Sequence, residues 1–391
     1  MPMTRTNATF ESPIVETLGW LDGVRHPAER PLMRVSQAAP VAPPPLELRR
    51  FLADLILTDE SVHLYGPVLG LPELRAELAR QNSTRYGGTV DETQVAITAG
   101  CNEAFSAAMA MLTDQGDEVI LPTPWYFNNK MWLDMTGVTA VPLPVKPDML
   151  PDPDEAAGLI TERTRAIVLV TPNNPTGAEY PAPLLRAFYQ LAKSCGIRLI
   201  VDETYRDFDS RDGAPHDLFT VPNWDGTLVH LYSFSKAYRL TGHRVGALIA
   251  SPALLSEAEK FLDTVTICPA QIGQHAALWG MRNLGEWLAG ERDEILARRD
   301  AIVEGFPVLA DKGWGLRGLG AYFAYLEHPF DLPSDELARR MVGAAGILAL
   351  PATMFTPPGD SHGARHLRVA FANLDRAEIT TFFLRMAALR L

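Results

Sequence analysis

A chain of 391 residues can bury the core of one large domain and still supply a smaller one. Its hydrophobic share of 47% and charged share of 21% are those of a globular protein. A formal net charge of -12 argues against nucleic acid or an anionic membrane surface as partner, while leaving room for a local basic pocket that holds a small phosphate.

The first nine residues lack the apolar core of a signal peptide, and no apolar run approaches the roughly 18 residues of a membrane span. Cys101, Cys195 and Cys268 are too scattered for a disulfide framework or a metal cluster, so no metal is expected. A cytoplasmic enzyme is the class that remains.

Residues 12–24, with Ile14, Val15, Leu18, Trp20 and Leu21, read as a short amphipathic helix. Pro40, Pro43, Pro44 and Pro45 then rule out regular structure and mark a crossover. Tyr65-Gly-Pro-Val-Leu-Gly-Leu-Pro-Glu-Leu-Arg75 reads as a turn entering a helix. From Val95 short apolar runs alternate with helical periods, the pattern of βαβ units and a mostly parallel sheet. The seven strand candidates are 95–98, 118–121, 138–141, 166–170, 198–202, 228–232 and 245–250. In such sheets ligands sit beyond the carboxyl ends of the strands, so the residues after each run matter most.

After the first run, Ala99-Gly-Cys-Asn-Glu-Ala-Phe105 opens a helix on a glycine, and the free N–H groups there suit an anion. After the second, Trp125-Tyr-Phe127 sits on a proline-rigid loop; such rings stack on flat heteroaromatics, or simply fill a core. The fourth run ends in Thr171-Pro-Asn-Asn-Pro-Thr-Gly177, and the fifth in Asp202-Glu-Thr-Tyr205. A carboxylate at the end of a buried strand demands a positive partner, which a structural salt bridge would also provide. The sixth run leads into Ser233-Phe-Ser-Lys-Ala-Tyr-Arg-Leu-Thr-Gly-His-Arg-Val-Gly246. Lys236 there can form a Schiff base with a carbonyl if burial or a nearby cation such as Arg244 lowers its pKa.

Beyond Ser251 the parallel rhythm stops. Residues 284–304 suit a connecting helix, followed by strands at 322–326, 347–350 and 366–370 and helices at 334–342 and 376–391. That is a smaller α+β domain. The expected division is an N-terminal segment 1–45 joined to that domain, a large domain 46–283 and the small domain 284–391.

Ser-x-Ser-Lys followed by Arg-x-Gly, Asn-Pro-x-Gly and Asp-x-x-Tyr together resemble the class I and II aminotransferases, pyridoxal-phosphate enzymes of fold type I. The likeness runs over roughly residues 36–373. It implies pyridoxal 5′-phosphate as cofactor, with Lys236 as its covalent anchor and proton carrier. Asp202 would keep the pyridine nitrogen protonated, and Asn174 and Tyr205 would hydrogen-bond the phenolic oxygen. Gly100, Cys101, Asn102, Ser233, Ser235 and Arg244 would hold the phosphate, with Tyr65 reaching it from the other subunit of a homodimer. Tyr126, or Trp125 if the match slips by one, would stack on the ring. Arg368 would grip the substrate's α-carboxylate, beside Asn174 and the loop containing Ala38.

The implied reaction moves an amino group between an L-amino acid and a 2-oxo acid. Carbon–sulfur β-lyases share these residues, and a non-catalytic cofactor sensor is the remote alternative. Cys101, Ala38 and Ala352 depart from the family's usual residues. Trp20 and Trp125, with Ala38, hint at an apolar or aromatic substrate side chain. Arg239, unusual beside the lysine, is read as a solvated arginine unless it lines the pocket.

Overall fold

The computed structural model describes residues 4–390; the first three residues of the expected N-terminal segment and Leu391 of the expected last helix lie outside them. Seven strands form one sheet in the order Val95–Thr98, Gly246–Ile249, Leu228–Ser233, Arg198–Asp202, Thr164–Val170, Glu118–Thr123 and Thr139–Pro144. All run parallel except Gly246–Ile249, which is antiparallel to both neighbours. The α/β architecture with a mostly parallel seven-stranded sheet is therefore as expected.

The inner strands are apolar throughout because helices cover both faces. On one face Leu74, Leu78, Phe188, Tyr189 and Ala276 pack against Ile97, Leu199 and Val201. On the other, Ala104, Phe105, Leu133, Leu255 and Leu262 pack against Val119, Val168 and Leu231. Helix Ala182–Ser194 shows how the sequence dictates this: its buried residues Leu185, Phe188, Tyr189 and Ala192 fall on one stripe. The outer strand Thr139–Pro144 is partly exposed and carries two prolines, which suit an edge.

A second, antiparallel sheet has the order Leu350–Pro351, His366–Ala370, Phe323–Glu327 and Gly315–Gly320. Helices Gly285–Gly305, Ser334–Ala345 and Arg376–Ala387 accompany it, the last opened by an Asp375/Glu378 capping box. Met33–Arg34 pairs in parallel with Ile347–Leu348, tying the N-terminal segment to this part.

Three local readings change. The first helix is Pro13–Gly19, not 12–24, stopping at a glycine. The expected 347–350 strand is two short strands, one paired with Met33–Arg34 and one with His366–Ala370. Gly315–Gly320 was not expected because glycine disfavours strands. Here a Cβ on Gly318 or Gly320 would strike the carbonyl oxygens of Thr176 and Gly177, at 2.3 and 2.2 Å. Those glycines let the small sheet close over the Asn174–Gly177 loop.

Candidate active site

A cavity of about 500 Å³ opens at the carboxyl ends of the parallel strands. All the sequence-predicted site residues except Gly100 and Tyr65 line it.

Lys236 sits in the one-turn helix Phe234–Ala237, started by Ser233, whose hydroxyl accepts from the Ser235 N–H at 3.2 Å. Its Nζ donates to the Ala38 carbonyl at 2.7 Å. Burial first, then the positive charges of Arg244 and Arg368, pull its pKa down from 10.5 to about 8. The amine is thereby brought towards the neutral, nucleophilic form.

Asp202 ends its strand nearly buried, at 6% exposure. Its Oδ1 accepts from the Thr204 N–H at 2.9 Å and hydroxyl at 2.7 Å, and its Oδ2 faces only the Cys101 thiol at 3.5 Å. Burial raises its pKa. Among the described residues no Lys, Arg or His pairs with it, so the strand-end carboxylate has the unfilled demand for a cation that a pyridinium N–H would meet.

Arg368 is the complementary case. On strand His366–Ala370 it is 2% exposed, yet it meets no carboxylate among the described residues. Its Nη1 donates to Asn174 Oδ1 at 3.0 Å and its Nη2 to the Ser36 carbonyl, while Nε has no partner. Phe323 and Phe355 flank the guanidinium with ring centroids 5.2 and 5.0 Å away. Burial lowers its pKa to about 10. A planar buried fork with an open edge is a receptor for a carboxylate.

Tyr205 also faces the cavity, and its hydroxyl makes no hydrogen bond among the described residues; burial pushes its pKa well up. The choice left open between Tyr126 and Trp125 becomes a geometric contrast. Tyr126 lines the cavity, accepts from Asn128 Nδ2 at 3.1 Å and donates to Asn102 Oδ1 at 3.4 Å. Trp125 is 5% exposed in the core, its backbone N–H donating to Phe355. Trp20 is not in the cavity either, since it lies under Arg339.

Gly100 caps helix Cys101–Leu112 with a φ of 92°. A Cβ there would fall 2.2 Å from Arg244 Nη2, so glycine is what lets the guanidinium lie across the helix start. Arg244 itself has a left-handed φ of 52°, and its Nη1 donates to the Thr241 carbonyl at 3.0 Å and Ser235 Oγ at 3.4 Å. Helix N–H groups, two serines and an arginine thus converge as an anion cradle. The donor set fits pyridoxal phosphate at every end: amine, carboxylate, aromatic face and phosphate cradle.

Tyr65 stands apart, 80% exposed and outside the cavity. Arg239 does not line the cavity; its fork pairs with Glu291 at 2.7 Å. Thr204, Gln37, Ser12 and Ile14 line the site without having been singled out. Thr204 was legible, since Asp-x-Thr is a self-bonding turn signature. Beside the site lies a buried cluster also missed, in which Glu203 accepts from Tyr86 and bonds His230 at 2.7 Å, with His216 at 3.4 Å.

The family model described as aminotransferase class I and II matches residues 31–385. The chain belongs to that family. It is a pyridoxal-phosphate enzyme of fold type I that moves amino groups between amino acids and 2-oxo acids. It is 32% identical to the aromatic aminotransferase ISS1 of Arabidopsis thaliana over 86% of this chain and 83% of that one. It is 31% identical to the arginine–pyruvate transaminase AruH of Pseudomonas aeruginosa over 78% and 80%. Among solved structures, the aspartate aminotransferase of Thermus thermophilus with maleate superposes at a TM-score of 0.87, 25% identical, covering 98% of each chain.

Proposed function

We propose that this aminotransferase takes amino acids with neutral, preferentially apolar or aromatic side chains, and that the residues gathered in the cavity divide the work as follows. Pyridoxal phosphate, when bound, supplies the aldehyde that receives the amino group and the ring that delocalises the electron pair left on Cα. Lys236 Nζ would hold the cofactor's aldehyde and, once the substrate amine has taken its place, would serve as the base and acid for the proton at Cα. The Asp202 carboxylate would keep a proton on the ring nitrogen. Asn174 Oδ1 accepts from Arg368, which leaves Nδ2 free, and with the Tyr205 hydroxyl it would serve the cofactor's phenolic oxygen. Arg368 takes the α-carboxylate, and Tyr126 covers the ring. Gly100, Cys101, Asn102, Ser233, Ser235 and Arg244 hold the phosphate.

One observation carries the side-chain preference. The only cations among the lining residues are Lys236, Arg244 and Arg368, each already assigned to the cofactor or the α-carboxylate. The remaining wall, with Ile14, Ala38, Ala39 and Phe127, offers no charge to a second carboxylate.

We also infer a homodimer and a cytoplasmic setting. Leu64 and Tyr65, adjacent in sequence, are 68% and 80% exposed, apolar surface that a second copy would cover while Tyr65 reaches the partner's phosphate cradle. Three free cysteines suit a reducing compartment. Among the described residues no helix is long and apolar enough to cross a membrane.

The deciding experiment is single turnover of cofactor-loaded enzyme with individual L-amino acids and no oxo acid. Phenylalanine, methionine or leucine should bleach the cofactor band fastest with stoichiometric oxo acid. Aspartate or glutamate as the fastest donor would sink the preference. Light scattering of the same sample tests the dimer.

A further inference from the structure

Asp202 is the only carboxylate among the residues lining the cavity, and its two oxygens are unequally held. Oδ1 accepts from both the N–H and the hydroxyl of Thr204, at 2.9 and 2.7 Å. Oδ2 has the Cys101 thiol at 3.5 Å, and a thiol is a weak donor. Thr204 lines the same cavity, so this hydroxyl stands at the site itself.

The hydroxyl matters because burial works against the charge. Burial is the largest influence on the Asp202 carboxyl and pushes its pKa up; the Thr204 hydroxyl comes next and pulls it back, followed by the Thr204 N–H. Of the groups that favour the ionised form, the Thr204 hydroxyl is therefore the strongest. Glu203, the next residue, adds to the rise, although its own charge is shared with Tyr86 and His230 in a cluster that Arg206 joins through Tyr86. A proton shared between a buried carboxylate and a pyridine nitrogen rests on the stronger base. A donor held on the carboxylate weakens it as a base and moves the proton to nitrogen. Without that donor the buried carboxyl is drawn to keep the proton itself, and a neutral ring is a poorer sink for electrons.

We propose that Thr204 is a positioning residue acting through Asp202: its hydroxyl secures Oδ1, leaves Oδ2 to the cofactor's ring nitrogen and keeps the proton between them on the nitrogen. This rests on the assignment of Asp202 to the ring nitrogen. The Thr204 N–H fixes the turn whatever side chain stands there, so the hydroxyl's own contribution is to where the proton lies.

The test is 15N NMR of the holoenzyme carrying pyridoxal phosphate labelled at the ring nitrogen, a nucleus whose shift separates protonated from neutral pyridine. Wild type, Thr204→Val, Thr204→Ser and Asp202→Asn are compared at one pH. Thr204→Val keeps the branched shape and the N–H and loses only the hydroxyl. Its ratio of protonated to neutral ring should fall by about tenfold or more, the worth of one hydrogen bond to a charged group, and the resonance should move towards the neutral position. Thr204→Ser keeps a hydroxyl and should return the resonance to the wild-type position, while Asp202→Asn should leave the ring neutral. Thr204→Ala carries the comparison if the valine variant does not fold. A resonance that moves in Asp202→Asn but not in Thr204→Val would overturn the proposal and leave the Asp202 assignment standing. A displacement in Thr204→Val that serine does not reverse would make Thr204 a packing residue and overturn the proposal too. A resonance unmoved in Asp202→Asn would sink the Asp202 assignment and the proposal with it.

Discussion

Lys236 and Ala38 are 198 residues apart in sequence, yet the Nζ of one rests on the carbonyl oxygen of the other at 2.7 Å. That contact closes the cavity with the N-terminal loop and parks the amine where burial and two guanidinium groups weaken its hold on a proton. Its pKa falls to about 8, so a large fraction is neutral in mildly alkaline buffer, where an ordinary lysine is almost fully charged. Labelling of the apoprotein by a small amine-reactive aldehyde, quantified at Lys236 by peptide mass spectrometry, should rise with pH through a midpoint near about 8. Arg244→Gln removes one of the charges that depress the value, so its midpoint should move up. The sign for stability follows. A base whose folded pKa lies below its unfolded value binds fewer protons when folded, so between about 8 and 10.5 this group makes apoprotein stability increase with pH. A midpoint near 10.5 in wild type would refute the tuning.

Gly100→Ala should damage the phosphate cradle directly. The φ of 92° is unsuited to a residue with a Cβ, which costs about 1–3 kcal/mol of stability. The added methyl also evicts the Arg244 Nη2 that lies 2.2 Å from its position. Equilibrium dialysis should show cofactor Kd rising by about tenfold or more, one charge-assisted contact's worth. An alanine variant that binds the cofactor as wild type does would mean that Arg244 is free to swing aside and that its place over Gly100 has no bearing on the phosphate.

The parallel sheet was legible because strands covered on both faces must be apolar runs, and their carboxyl ends must carry whatever chemistry the sheet offers. Asp202 and Lys236 drew attention that way, from charges where an apolar run stops, whereas Asn174 was singled out only by the likeness of Asn-Pro-x-Gly to the aminotransferase family. The glycine-rich strand 315–320 was not, since its glycines answer to a loop more than a hundred residues earlier, at Thr176 and Gly177. Trp125 and Tyr126 are neighbours of similar chemistry, and only the direction of each side chain separates core from cavity. The Glu203, His216, His230 and Arg206 cluster was also invisible, because no spacing in sequence announces a polar group satisfied inside a core.

Arg368→Gln should separate function from folding. The wild-type guanidinium is buried, unpaired by any carboxylate among the described residues, and depressed in pKa to about 10 by burial. Replacing it with a neutral amide that can still reach Asn174 relieves that burden, so unfolding of the apoprotein by urea should be unchanged or shifted to higher urea. The reaction should suffer instead. Losing one partner of a buried carboxylate pair costs about 3 kcal/mol, more than a hundredfold in kcat/KM for every amino acid alike. A uniform loss of stability with kcat/KM intact would make Arg368 a structural residue only.

Arg239 gives the reverse separation. Three residues after Lys236, it turns away from the cavity and forms a two-pronged pair with Glu291 on helix Gly285–Gly305, at 2.8 and 2.7 Å. Trp287 on the same helix lies 5.3 Å from the guanidinium, and Nη1 also donates to the Pro43 carbonyl at 3.3 Å. The side chain therefore joins the lysine segment to the connecting helix and to the crossover loop. It touches no part of the substrate's space. Arg239→Ala should leave the ranking of amino donors as it is in wild type and cost about 1 kcal/mol of stability, the usual scale for a partly exposed pair. Glu291→Gln should cost a similar amount, and the double variant less than the sum of the two, because each single change removes the same contact. The measurements are urea unfolding of the three variants and single-turnover rates across a donor panel. A reordered donor ranking in Arg239→Ala would return this arginine to the substrate pocket.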